Sequence, residues 1–76
     1  MNNQRRKELS LIIDELPSLS ERLESVMDDE QDSFDNLTES LQQTMRGQQM
    51  EEAIESMESS IEAIEEAISY IEEAQM

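Results

Sequence analysis

The last third of the chain, from Met50 to Gln75, carries an apolar residue at alternating intervals of three and four. This spacing is the a/d pattern of a heptad repeat, which places all of these side chains on one stripe of a helix. The stripe consists of Met50, Ile54, Met57, Ile61, Ile64, Ile68 and Ile71. A helix that is polar elsewhere is stable only when such a stripe is buried against another helix. The rest of the chain must therefore supply a helical partner.

The two edges of this stripe differ in composition. Small residues precede each a position along one edge, and glutamates follow each d position along the other. The small residues are Ala53, Ser60, Ala67 and Ala74, and the glutamates are Glu58, Glu65 and Glu72. The partner helix is therefore expected to meet a small-residue edge on one side of the seam and a charged edge on the other.

A second apolar stripe precedes the first one in the chain. The same alternation runs through Leu9, Ile12, Leu16, Leu19, Leu23 and Val26, and Ile13 and Met27 add a third apolar column beside it. This stripe is wider than one neighbouring helix can cover, so it indicates a second neighbour from another copy of the chain. Both stripes together form the predicted oligomer core. We expect an all-α, coiled-coil-like antiparallel two-helix hairpin that dimerises into a four-helix bundle.

The predicted hairpin is a single domain over residues 1–76. Its helices span about 4–34 and about 44–75, and the loop spans about 35–43. Pro17 lies within the first helix, but the apolar period passes through it without a change of phase, which favours a kinked continuous helix over a break. Thr44 is a suitable N-cap for the second helix, and Gly47 can permit close approach of the first.

Composition excludes most enzyme chemistry. The chain has 76 residues with neither cysteine nor histidine, so it has no disulfide, no thiolate nucleophile and no histidine base or ligand. The spacing of Asp28, Glu30, Asp32, Asn36 and Glu39 matches part of a calcium loop, but the turn glycine is missing because Ser33 occupies its place. We read this segment as a solvated acidic helix end. We expect no enzyme activity, no cofactor and no metal.

Charge is the feature with functional content. Twenty acidic residues face five basic ones, for a net charge of −15. Such a surface repels nucleic acid and anionic lipid and attracts basic protein surfaces. No apolar run approaches the ~20 residues of a membrane span, so we expect a cytoplasmic protein without direct nucleic-acid or membrane contact.

The heptad register turns one set of carboxylates away from the seam, and these are the predicted partner-binding residues: Asp28, Asp29, Asp32, Glu55, Glu62 and Glu66. Tyr70, at an outward position, and Phe34, near the loop, are candidate partner anchors because exposed aromatic residues are enriched in interfaces. The alternative interpretation is that the carboxylates only keep the protein soluble. This interpretation is weaker, because a helix face that only confers solubility would alternate lysine with glutamate.

Several segments resemble a group of short acidic proteins encoded by bacteriophages and prophages. They are Arg5-Arg6-Lys7, Asp29-Glu30-Gln31, the run from Asp35 to Gln42, Arg46-Gly47 and the run from Met50 to Ile54. The resemblance implies a small accessory phage protein in a bacterial cytoplasm, without an established activity to carry over.

Two hypotheses about function follow. In the first, the protein inhibits or modulates a host protein, for example an anti-phage defence or nucleic-acid-binding protein, and its acidic helices occupy a surface meant for phosphates. In the second, it is a structural or oligomerisation module whose charge maintains solubility. A nucleotide-binding role is disfavoured because the chain has only five basic residues.

Overall fold

A computed structural model describes residues 1–75. The described chain is helical apart from short connections, with α1 at Asn3–Asp35, α2 at Glu39–Gln42 and α3 at Met45–Ala74. The two long helices pack along each other, and α2 packs on α3. The Cα atoms extend over 58 × 15 × 12 Å, so the molecule is a thin rod. The all-helical prediction is confirmed, and so is the packing of two long helices.

Hydrogen bonds at one end of the rod show that α1 and α3 run antiparallel, and a bond at the other end joins α2 to α1. At one end, Arg6 Nε donates to the carbonyl oxygen of Gln75 (3.2 Å). In return, Gln75 Nε2 donates to the carbonyl oxygen of Arg6 (3.2 Å) and to Ser10 Oγ (2.6 Å). At the other end, Gln42 Nε2 donates to the carbonyl oxygen of Phe34 (3.1 Å). The start of α1 therefore lies beside the end of α3.

Each helix begins at a polar cap. The side chain of Asn2 accepts from the backbone N–H of Arg5 at the start of α1, and that of Thr38 accepts from Leu41 at the start of α2. Thr44 accepts from the backbone N–H of Gly47 (3.3 Å) at the start of α3. These bonds satisfy amide donors that have no partner within the helix. Helix boundaries are thus set by Asn and Thr side chains.

Gly47 is the one buried residue among residues 1–75. It lies in the first turn of α3, where a methyl group added to its Cα would overlap the backbone carbonyl of Gln42. The close approach at Gly47 is therefore to α2, and not to the first helix as expected from the sequence. The turn needs glycine for space, since no described residue has a positive φ.

The seam between α1 and α3 follows a heptad repeat on both helices. We assign position a of α1 to Arg6, Ile13, Ser20, Met27 and Phe34, and position d to Leu9, Leu16, Leu23 and Glu30; all of them are half-buried. In α3, position a is Gly47, Ile54, Ile61 and Ile68, and position d is Met50, Met57, Ile64 and Ile71. The α3 seam is the stripe read from the sequence.

On α1 the structure differs from the sequence interpretation. The column that we took as part of the main stripe, Ile12, Leu19 and Val26, stays exposed, at 42%, 46% and 56% of its surface. The column of Ile13 and Met27 packs in the seam in its place. The reason is geometric, because α3 can cover only two adjacent columns of α1. The column that contains Ile13 and Met27 also contains the polar residues Arg6 and Ser20, so its apolar periodicity is hard to recognise in the sequence.

The seam is thin. No hydrophobic side chain between residues 1 and 75 is fully buried. A pair of helices can shield its contact residues only from the side on which they meet, so each keeps part of its surface in water. Pro17 lies outside this seam, on an exposed position, and α1 continues through it without interruption.

Candidate protein-interaction site

The helix pair has two long sides. The heptad columns e of the two helices lie along one side, and the columns g lie along the other. In an antiparallel pair the e column of one helix lies next to the e column of the other. One observation places them so here: Gln31, in column e of α1, lines one shallow groove together with Glu51, in column e of α3. At the other end of the pair, Ser10 in column e of α1 accepts from Gln75, which continues column a of α3. The g columns therefore share the opposite side.

The side formed by columns e and b, here called the acidic side, carries most of the charge. It holds eleven carboxylates and a single basic residue, Lys7. Those of α1 are Asp14, Glu21, Glu24, Asp28 and Asp35, and those of α3 are Glu51, Glu55, Glu58, Glu62, Glu65 and Glu72. All of them are exposed. Four more carboxylates, Asp32, Glu52, Glu66 and Glu73, lie in the outermost columns f.

The side formed by columns g and c, here called the neutral side, has no net charge. Three acidic residues, Glu8, Glu15 and Asp29, are matched there by Arg5, Arg22 and Arg46. From Gln49 to Ala74, α3 contributes no charged residue to this side, since all nine of its acidic residues lie in columns e, b and f. Almost the entire net charge of −15 thus belongs to the acidic side and the outer columns.

The six carboxylates predicted to bind a partner are all exposed, but the structure divides them. Asp28, Glu55 and Glu62 lie in columns b and share the acidic side. Asp32 and Glu66 lie on the outer backs of α1 and α3. Asp29 lies in column c of α1, at the neutral side. The heptad register brings together three of the six.

The two aromatic residues have different environments. Tyr70 is 68% exposed and lies in column c of α3, on the neutral side. Phe34 is half-buried at the end of the seam, and it lines the same groove as Ile54 and Glu55. Because Phe34 closes the seam beside the bend, its ring has less surface to offer a partner than Tyr70 does.

The structure also bears on two other roles, metal binding and membrane insertion. The segment that matched part of a calcium loop runs from Asp28 to Glu39, and its residues 28–35 lie within α1, so most of it is helical. Within the described chain, no group of three or more carboxylates is arranged to hold a metal ion. Among residues 1–75, no helix has the length and apolar character needed to cross a membrane.

The sequence interpretation missed the polar residues that hold the ends of the hairpin. Gln75 and Gln42 each use their side-chain amide to bond a backbone carbonyl of α1. At the start of α1, the side chain of Arg6 donates to the backbone carbonyl of Gln75. The signal was present in the register: Arg6 and Gln75 both occupy seam positions at the same end of the pair.

Comparison with known proteins assigns no family to the chain. No protein-family model, no curated protein and no solved structure matches the chain.

Proposed function

We propose that this chain is a small accessory protein of the phage type that acts in a bacterial cytoplasm by binding a host protein and inhibiting or modulating it. The observation that carries the proposal is the segregation of charge, with eleven carboxylates and one basic residue on the acidic side. Concentrated like charge destabilises a fold, so its retention on one side suggests a use. Binding is proposed rather than catalysis, since the chain lacks histidine and cysteine.

A basic groove is the surface that fits the acidic side. The acidic side carries eleven carboxylates and Lys7 along 58 Å, about one net charge for each 6 Å, and the whole molecule with its net charge of −15 carries about one for each 4 Å. One strand of DNA carries a phosphate for each ~3.4 Å, so the rod offers a groove made for a nucleic-acid strand a linear charge of the same order. The proposed partner is therefore a host protein that binds nucleic acid, for instance one that defends against phages.

Self-association is part of the proposal. The accessible surface is 5824 Å², whereas a globular monomer of 8.8 kDa exposes about 4,800 Å². The excess of about 1,000 Å² is close to the ~800 Å² that each partner buries in an ordinary stable interface. The exposed column of Ile12, Leu19 and Val26 offers apolar surface for such an interface. We infer that two hairpins form a four-helix bundle.

The six predicted carboxylates supply a matched test of partner binding. One variant combines Asp28→Asn, Glu55→Gln and Glu62→Gln on the acidic side, and the control combines Asp29→Asn, Asp32→Asn and Glu66→Gln elsewhere. Both remove three charges. The immobilised wild-type chain first captures partners from a bacterial lysate, and association rates with the purified partner are then measured at about 50 and about 300 mM NaCl.

The acidic-side variant is expected to associate roughly tenfold more slowly than wild type and the control less than about threefold, because rim charges act mainly on the encounter rate. Wild-type association should also slow steeply with salt. Equal rates for all three chains, without salt dependence, would show that the carboxylates serve only solubility.

A second candidate function is a structural oligomerisation module with charge that maintains solubility. The exposed apolar column on α1 favours it, because self-association alone would account for that column. The two candidates differ in their dependence on charge. The module would assemble equally well after the triple neutralisation of the acidic side and would capture no partner in a salt-sensitive manner.

A further inference from the structure

The neutral side is the part of the molecule that can meet a second copy of itself. Two copies that each carry −15 repel each other wherever their acidic sides or outer columns approach. On the neutral side three acidic residues are balanced by three basic ones, and α3 offers only small or uncharged residues from Gln49 to Ala74. Approach through this side therefore carries the least electrostatic cost.

Shape also favours this side. The g column of α1 presents large side chains, at Ile12, Leu19 and Val26, whereas the g column of α3 presents small ones. The small residues are Ala53, Ser60, Ala67 and Ala74. A shallow groove lined by Leu19, Leu23, Val26 and Arg22 lies on the same flank of α1. One side of the hairpin thus carries a row of projections beside a row of recesses.

The axial levels of the two rows interleave. Arg6 and Ser10 both bond Gln75, and counting inwards from these contacts places Leu19 level with residues between 62 and 66 of α3. Leu19 therefore lies between the levels of Ser60 and Ala67. The same count places Ile12 between Ala67 and Ala74, and Val26 between Ala53 and Ser60. A knob that lies between two small residues is the arrangement of knobs-into-holes packing.

This inference rests on the proposed dimer. We propose that the dimer forms through the neutral side, with α1 of each copy lying over α3 of the other. A two-fold axis parallel to the helices gives this arrangement: it sets Ile12, Leu19 and Val26 of one copy against the small residues of its partner, and the reverse. The acidic sides and outer columns of both copies then form the outside of the bundle, which leaves both acidic sides free to bind the host partner.

Adjacent serines on α3 allow a matched experiment. Ser59, in column f, and Ser60, in column g, are both exposed, so Ser59→Asp and Ser60→Asp add the same charge at neighbouring positions. Ser60 Oγ also donates to the carbonyl oxygen of Ser56 (2.9 Å), so Ser60→Ala controls for the loss of that bond. Sedimentation equilibrium gives the dimer dissociation constant of each chain, and far-ultraviolet circular dichroism gives its helix content.

Ser60→Asp is expected to weaken dimerisation at least about tenfold relative to wild type, because it places an unpaired carboxylate within the interface. Ser59→Asp and Ser60→Ala should remain within about threefold of wild type. Leu19→Asp should act like Ser60→Asp from the other helix. If dissociation unfolds the hairpin, the same dissociation constants follow from the dependence of helix content on protein concentration.

Each contrary result has a distinct meaning. If Ser59→Asp breaks the dimer and Ser60→Asp does not, the neutral side is not the interface, although self-association stands. If the wild-type chain is a stable monomer at tens of micromolar, self-association fails and this inference fails with it. If such a monomer captures a host protein that Leu19→Asp no longer binds, the neutral side belongs to that protein and not to a second copy.

Discussion

Three residues outside the apolar stripes fix the ends of the hairpin. Gly47 lets the backbone of Gln42 approach α3, and the side chain of Gln42 then bonds the carbonyl of Phe34 at the end of α1. At the far end Gln75 bonds the backbone of Arg6. Each contact ties one helix to the backbone of another, so the register of α1 against α3 is held at both ends.

Gly47→Ala should destabilise the protein. An alanine within a helix normally raises stability by up to ~1 kcal/mol relative to glycine. Here the added methyl group would overlap the carbonyl of Gln42, and moving α2 aside is expected to cost about 1–3 kcal/mol. Urea unfolding at a fixed protein concentration measures the change, with Gln48→Ala at the neighbouring exposed position as control. A Gly47→Ala chain more stable than wild type would show that the approach is not tight.

The two long helices differ in how well their packing can be read from sequence. Every a and d position of α3 from Met50 to Ile71 is apolar, so its seam is unambiguous. In α1 the seam includes Arg6, Ser20 and Glu30, while a rival apolar column lies beside it. Periodicity cannot tell which column faces α3, because both repeat every seven residues. The column that faces α3 is selected by packing against α3 and by the contacts at the ends of the hairpin. The sequence of α1 alone does not contain that information.

Ser20 offers a test of the α1 seam. It is half-buried between Leu16 and Leu23, so Ser20→Leu should extend the apolar contact and stabilise the hairpin by about 1 kcal/mol. Ser18→Leu, at an exposed position of the same helix, supplies the control for helix propensity alone and should change stability by less than ~0.5 kcal/mol. Urea midpoints at equal protein concentration decide; equal shifts for both variants would contradict the seam assignment.

Charge is distributed unevenly over the surface of the whole molecule. The sequence was sufficient to predict exposed carboxylates at Asp28, Glu55 and Glu62, since the register turns them outward. It was not sufficient to show that these three share a side while Asp29 faces away from them. That grouping needs the antiparallel pairing of α1 with α3, which sets column e of one helix against column e of the other.

Stability should rise with salt, whereas binding to a basic partner should weaken. Between about 20 and about 500 mM NaCl the screening length falls from roughly 20 to roughly 4 Å, which relieves repulsion among the carboxylates of the acidic side. The thermal midpoint of wild type is expected to rise by several degrees. The variant with Asp28→Asn, Glu55→Gln and Glu62→Gln should show a smaller rise. A midpoint that falls with salt would indicate that favourable ion pairs, and not repulsion, dominate.

The thin seam also affects how this protein can change over time. With no hydrophobic side chain of residues 1–75 fully buried, few positions are constrained by close packing. Substitutions at exposed positions away from caps and glycine usually alter stability by less than ~0.5 kcal/mol. The residues proposed to meet a partner are therefore almost independent of those that maintain the helices. Such a chain can acquire a new binding preference through surface mutations while its fold persists.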